Sequence, residues 1–79
     1  MTVTKAEFDA AAKNLLGAEY YAKFVAAGAN RSDLCVEIAK QFFIQDLDPD
    51  DRERMHSDIF KVQCVALNLR RDGNLGLTD

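Results

Sequence analysis

Cys35, Cys64 and His56 are the side chains best suited to covalent chemistry, and their spacing decides whether they can act together. A nucleophile needs a base within hydrogen-bond reach and a third group that orients the base. Eight residues separate His56 from Cys64, which on one helix places them about 12 Å apart along the axis. Asp58 follows His56 by two residues and therefore lies on another helix face. We expect a protein that is not an enzyme and that uses no cofactor.

Acidic residues at alternate positions begin at Asp46 and resemble the opening of an EF-hand calcium loop. The sixth position of that loop is Asp51 where the turn requires glycine, and the twelfth is Ser57 where a bidentate glutamate closes the site. Helix capping explains the acids equally well, because Asp48 can cap a helix whose first turn contains Asp50 and Asp51. The sequence therefore predicts no metal site.

The same acidic stretch, from Asp46 to Asp58, has six acids and only two bases, Arg52 and Arg54. One interpretation is a solvated helix face. The other is a contact patch whose carboxylates bind a basic surface of a partner protein, while apolar side chains nearby hold the complex together. In the second interpretation the partner-binding residues are Asp46, Asp48, Asp50, Asp51, Glu53, Phe60 and Leu67.

Residues 24–39, FVAAGANRSDLCVEIA, resemble the middle of a helix-turn-helix motif, with Gly28 in the turn. The family pattern wants a small residue where Phe24 stands and an apolar one where Glu37 stands. The acids of the second helix also leave its exposed face without net positive charge. The resemblance implies a small DNA-binding regulator that would use Arg31, Ser32 and Lys40.

Local signals predict an all-α fold, a small bundle of three to four helices with a long C-terminal helix. Thr4 with Glu7 forms a capping box, Asn30 can cap a later helix, and Pro49 suits a first turn. Helices one and two are either separate or one helix kinked at Gly17. With 79 residues the chain is long enough for one core, so we expect a single domain, 1–79. The helices are predicted at about 5–16, 18–27, 31–45 and 49–72, followed by a tail at 74–79.

The predicted last helix has two apolar stripes. In one interpretation it is a central helix packed on both sides within one chain. In the other, one stripe meets a partner, which includes a two-fold contact between copies of this chain. The first stripe contains Met55, Ile59, Val62, Val65, Ala66 and Leu69, and the second contains Phe60, Cys64 and Leu67.

The composition of the chain disfavours several classes of binding partner and indicates where the protein is located. The net charge of −3 disfavours direct attraction to nucleic acid or to anionic lipid. No apolar run approaches the roughly 18 residues of a membrane span, and the N-terminal residues lack the order of a signal peptide. Two cysteines among apolar neighbours indicate reduced thiols, so we expect a cytoplasmic protein.

In size, acidity and lack of catalytic residues, the chain resembles phage-encoded inhibitors of bacterial defence, which include anti-CRISPR proteins. The resemblance implies steric or electrostatic occlusion of the nucleic-acid channel of a nuclease complex. We therefore expect a non-enzymatic inhibitor that binds a protein partner, and in particular a nucleic-acid-binding complex. The alternatives are the DNA-binding regulator and a homo-oligomeric structural subunit.

Overall fold

The first helix begins where two side chains satisfy backbone groups that a helix start leaves unpaired. The computed structural model describes residues 2–43 and 49–79. In it, the Thr4 hydroxyl accepts from the Glu7 backbone N–H at 3.1 Å, and the Glu7 carboxylate accepts from the Thr4 N–H at 3.4 Å. Helix α1 then spans Lys5–Leu16 and turns Phe8, Ala12 and Leu15 into the core. The capping box therefore sets where α1 starts.

Gly17 separates α1 from α2, which spans Ala18–Ala26. Its φ of 89° lies in the region that favours glycine, so the helical hydrogen-bond pattern stops there. The structure thus has two distinct helices rather than one kinked helix. Helix α2 lies at the periphery, because none of its residues is fully buried and only Tyr21 and Phe24 pack against the core.

Helix α3 spans Arg31–Ile38 and continues into a π-helical turn, Ala39–Phe43. A reciprocal cap starts it: the Asn30 side chain accepts from the Asp33 N–H at 2.9 Å, and the Asp33 carboxylate accepts from the Asn30 N–H at 3.0 Å. Residues 44–45, the predicted end of this helix, lie outside the described part of the chain. The buried residues of α3 are Leu34, Cys35 and Ile38.

The long C-terminal helix, α4, spans Pro49–Asp72 and packs against both α1 and α3. It buries Val62 and Val65 completely, whereas Phe60 and Leu67 on its other side stay exposed. The second stripe is therefore divided within the described residues: Cys64 is half-buried and packs against the core, whereas Phe60 and Leu67 are exposed. The predicted fold class is confirmed: the molecule is an all-α bundle with a long C-terminal helix.

A short parallel sheet joins the two ends of the chain. Strand β1, Val3–Thr4, pairs with strand β2, Leu77–Thr78, and Val3 lies opposite Leu77. The Lys5 ammonium adds an ion pair with the Asp79 carboxylate at 2.7 Å. This pairing is absent from the sequence-based prediction, because two-residue strands leave no periodic pattern to detect.

One apolar core lies between α1, α3, α4 and β1. Within the described residues, no polar or charged side chain is fully buried in it. In the described ranges, 2–43 and 49–79, no helix has the length and apolar character needed to cross a membrane. The buried core residues are Val3, Phe8, Ala11, Ala12, Leu15, Leu34, Cys35, Ile38, Val62 and Val65.

Candidate protein-binding surface

Helix α4 carries a row of exposed side chains on the side turned away from the core. The row, named here the outer row, steps alternately by three and four residues along the helix, which keeps it on one side. Phe60 and Leu67 are its apolar members and are 45% and 62% exposed. The outer row consists of Glu53, His56, Phe60, Gln63, Leu67 and Arg70.

The apolar members of the outer row lie opposite the buried side of α4 because of the helical period. Val62 follows Phe60 by two residues, about 200° around the helix, and Val65 precedes Leu67 by the same step. Burial of the two valines therefore turns Phe60 and Leu67 outward. The His56 ring stacks on the Phe60 ring with centroids 6.4 Å apart and planes 14° apart, so the two rings are nearly parallel.

A groove of about 670 Å³ lies beside the outer row, between α3 with its π-helical turn and α4. Val36 forms part of its wall and is 50% exposed. Lys40 and Arg70 place two cations at the groove, one from each side. An apolar groove with cations beside it suits an amphipathic helix with acidic flanks. The lining residues are Cys35, Val36, Ala39, Lys40, Gln63, Ala66, Leu67, Leu69 and Arg70.

The predicted acidic patch divides into residues with different surroundings. Asp50 and Glu53 are exposed in the first turns of α4, and the backbone of Asp51 belongs to the same turns. Asp46 and Asp48 lie outside the described residues. Asp58, the last acid of the stretch, is half-buried, and its carboxylate accepts from the Asn14 side chain at 2.6 Å. Asp58 therefore joins α1 to α4 and is not part of an open acidic surface.

The predicted DNA-reading residues on α3 are partly engaged within the molecule. The Arg31 guanidinium donates to both carboxylate oxygens of Asp9, at 2.9 and 2.7 Å, and this hydrogen bonding raises the pKa of Arg31. It therefore anchors α3 to α1. Ser32 is half-buried, whereas Lys40 is exposed beside the groove. Of these three residues, Lys40 is therefore the one that carries a positive charge on an exposed side chain.

Of the candidate catalytic residues, Cys35 is in an environment that opposes its activation. Burial raises the pKa of the Cys35 thiol to about 11, which opposes formation of the reactive thiolate. His56 is exposed and in contact with an aromatic ring. Across the portion of the chain that the structure describes, no group of three histidine, cysteine or acidic residues is placed to hold a metal ion.

Val36 is the groove residue that the sequence-based prediction missed. It is an apolar residue off the buried face of α3, between Cys35 and Glu37, and such a position is the available signal for an exposed contact residue. The groove itself depends on how α3 packs against α4, which no local pattern specifies.

Comparison of the chain with family models, curated proteins and solved structures finds no match.

Proposed function

We propose that the protein is a non-enzymatic binding module that attaches to a partner protein through the outer row of α4 and acts by covering the partner's surface. The supporting observation is the exposure of two large apolar side chains, Phe60 and Leu67, on one helix face. Both are of the type that contributes strongly to protein interfaces when buried by a partner. The groove beside them extends the contact toward Val36.

The charges at the start of α4 favour a partner with a basic surface. Asp50 and Glu53 are exposed near the N-terminal end of the helix that carries the outer row. Carboxylates at the rim of an interface accelerate encounter with a cationic surface and reject anionic ones. We place Asp46, Asp48 and Asp51 in the same contact, as the sequence suggests.

A basic surface that an acidic helix can cover is typical of nucleic-acid-processing complexes. We therefore propose that the protein is an inhibitor that binds in the nucleic-acid channel of such a complex. It excludes the nucleic acid from the channel, in the manner of phage anti-defence proteins such as anti-CRISPR proteins. The acidity and small size of the chain support this class of partner. Inhibition would follow from occupancy alone and needs no turnover.

The test is an affinity pulldown from the source organism with three forms of the tagged protein. Wild type and the control Val25→Gln, which alters an exposed apolar residue on α2, should retain the same stoichiometric partner. The double variant Phe60→Gln/Leu67→Gln should lose it, because the apolar centre of the contact is gone. Retention of the partner by the folded double variant would contradict the outer row as the binding surface.

The electrostatic part of the proposal is tested with the purified partner. The double variant Asp50→Lys/Glu53→Lys should slow association about tenfold at low salt and leave dissociation nearly unchanged, because rim charges act mainly on encounter. Added salt should remove most of the difference. An association rate equal to that of wild type at low salt would remove the acidic residues from the contact.

A further inference from the structure

The outer row of α4 is complementary to itself when two helices run antiparallel. Glu53 stands near one end of the row and Arg70 at the other, with the apolar residues between them. We propose that a second copy of the chain binds along this row, with the two α4 helices antiparallel about a two-fold axis. This proposal is independent of the function proposed above.

Regular spacing supports a helix as the occupant. The six exposed positions follow the alternating three-four step of a coiled-coil seam, so a second helix that supercoils around α4 can contact all of them. A partner that contacted only Phe60 and Leu67 would not require the exposed row to continue to Glu53 and Arg70. The seam therefore extends over 18 of the 24 residues of α4.

The charge distribution selects the antiparallel direction. On the outer row itself, the acid Glu53 lies in the N-terminal half and the base Arg70 lies in the C-terminal half. Antiparallel pairing brings the opposite halves together, whereas parallel pairing would place like charges side by side. The two helix macrodipoles are also antiparallel in this arrangement, which is favourable.

The ion pairs within the chain leave Glu53 and Arg70 available for this contact. Arg71 is engaged with Asp72 at 2.8 Å, and Asp58 accepts from α1. Within the described residues, neither Glu53 nor Arg70 forms an ion pair. They are separated by about 26 Å along the helix, so in a two-fold pair they would form one ion pair at each end.

A two-fold axis that brings Glu53 of one copy opposite Arg70 of the other lies, along the helix, at the level midway between Lys61 and Val62. Each Phe60 then lies about 2 Å from the axis along the helix, which places the two Phe60 side chains next to each other at the centre. Each end of the row faces the opposite end of the other copy. In this register Glu53 lies opposite Arg70, His56 opposite Leu67, and Phe60 opposite Gln63.

The groove between α3 and α4 fits the acidic half of the second helix. In the antiparallel register, that half passes beside Leu67 and Arg70, which line the groove. Val36, on the opposite wall, offers apolar surface to the incoming helix, and Lys40 offers a second cation. The groove thus adds apolar and charged contacts at the C-terminal half of α4, which faces the acids of the other copy.

If the function proposed above is correct, the second copy and the partner protein use the same surface. Dimerisation would then lower the concentration of binding-competent chain, and partner binding would require the dimer to separate. This consequence alone rests on the proposed function. The dimer itself is tested without any partner.

The test is sedimentation equilibrium of charge-reversal variants. Glu53→Arg and Arg70→Glu alone should each weaken dimerisation about tenfold, because each turns two attractive pairs into repulsive ones. An equimolar mixture of the two variants should dimerise again, since both cross-pairs are then attractive. The variant with both reversals should dimerise like wild type. The control Glu19→Arg reverses an exposed charge on α2 and should have no effect.

A second variant separates the apolar contribution from the charges. Phe60→Gln should be a folded monomer, because Phe60 is exposed in the single chain and central in the dimer; circular dichroism confirms the fold. A wild-type chain that is monomeric up to about 1 mM would overturn the proposal. A dimer whose strength does not respond to the charge reversals, or a mixture that fails to re-form it, would also overturn the proposal.

Discussion

Tyr20 joins α2 to α3 through a hydrogen bond from its hydroxyl to the Glu37 carboxylate at 2.8 Å. The Gln41 side chain donates to the same carboxylate oxygen at 2.9 Å. The hydrogen bonds from Gln41 and Tyr20 lower the pKa of Glu37, and the bond to Glu37 raises the pKa of Tyr20. The peripheral helix α2 is thus linked to the bundle by an exposed pair that titrates at both pH extremes.

The sign of each shift defines the pH range of this link. Because folding lowers the pKa of Glu37, its contribution is present above the unfolded pKa and is lost as the pH falls through the folded value. Because folding raises the pKa of Tyr20, its contribution is present below the unfolded pKa and is lost as the pH rises through the folded value. The link is therefore complete at neutral pH.

Tyr20→Phe should raise the pKa of Glu37 toward its ordinary value, because one of the two hydrogen bonds to the carboxylate disappears. The bond from Gln41 remains, so the pKa should stay below the ordinary value. Carboxyl carbon chemical shifts in an NMR titration give the pKa directly. Tyr21→Phe is the control, and an unchanged Glu37 pKa in Tyr20→Phe would contradict the hydrogen bond.

At the level of elements, α4 has two faces that differ in what they stabilise. Val62 is fully buried against the other helices, whereas Leu67 is 62% exposed. Removal of buried methyl groups costs transfer energy and leaves a cavity, and removal of exposed ones costs little. The two faces can therefore be separated by matched truncations.

Val62→Ala should lower the free energy of unfolding by about 2 kcal/mol, while Leu67→Ala should change it by less than about 0.5 kcal/mol. Urea unfolding of both variants at low protein concentration measures these values on the single chain. The low concentration matters, because the proposed dimer would otherwise add to the stability of wild type. Equal losses in the two variants would mean that Leu67 belongs to the core.

The start of each helix could be predicted from sequence where a cap is local. Thr4 with Glu7 and Asn30 with Asp33 each make their hydrogen bonds within four residues, so the pattern contains the whole interaction. The side of α4 that stays open could not be predicted. Both apolar stripes have helical spacing, and only the packing of the helices decides which of their side chains are covered.

At the level of the whole molecule, the outer row of α4 is a long exposed surface. The chain has a radius of gyration of 12.0 Å and extents of 31 × 28 × 20 Å, and the outer row runs for about 26 Å from Glu53 to Arg70, so it spans most of the molecule. One helix of similar length can cover the whole row. Composition predicts the small all-α class, but the position of the groove follows from the assembled helices.

The paired strands β1 and β2 also affect the order of folding. Lys5 and Asp79 are 74 positions apart, so bringing these ends together costs the entropy of closing nearly the whole chain. Such a contact forms late unless the helices have already brought the ends close. We expect the terminal sheet to form after the folding transition state.

Leu77→Ala should therefore speed unfolding and leave the folding rate nearly unchanged, which corresponds to a φ-value near zero. Stopped-flow folding and unfolding over a range of urea concentrations measures both rates, and Val62→Ala provides the comparison from the centre of the bundle. Slower folding of Leu77→Ala would instead place the terminal sheet in the nucleus. With a late-forming sheet, the ends of the chain are the last contacts made during folding and the first released during unfolding.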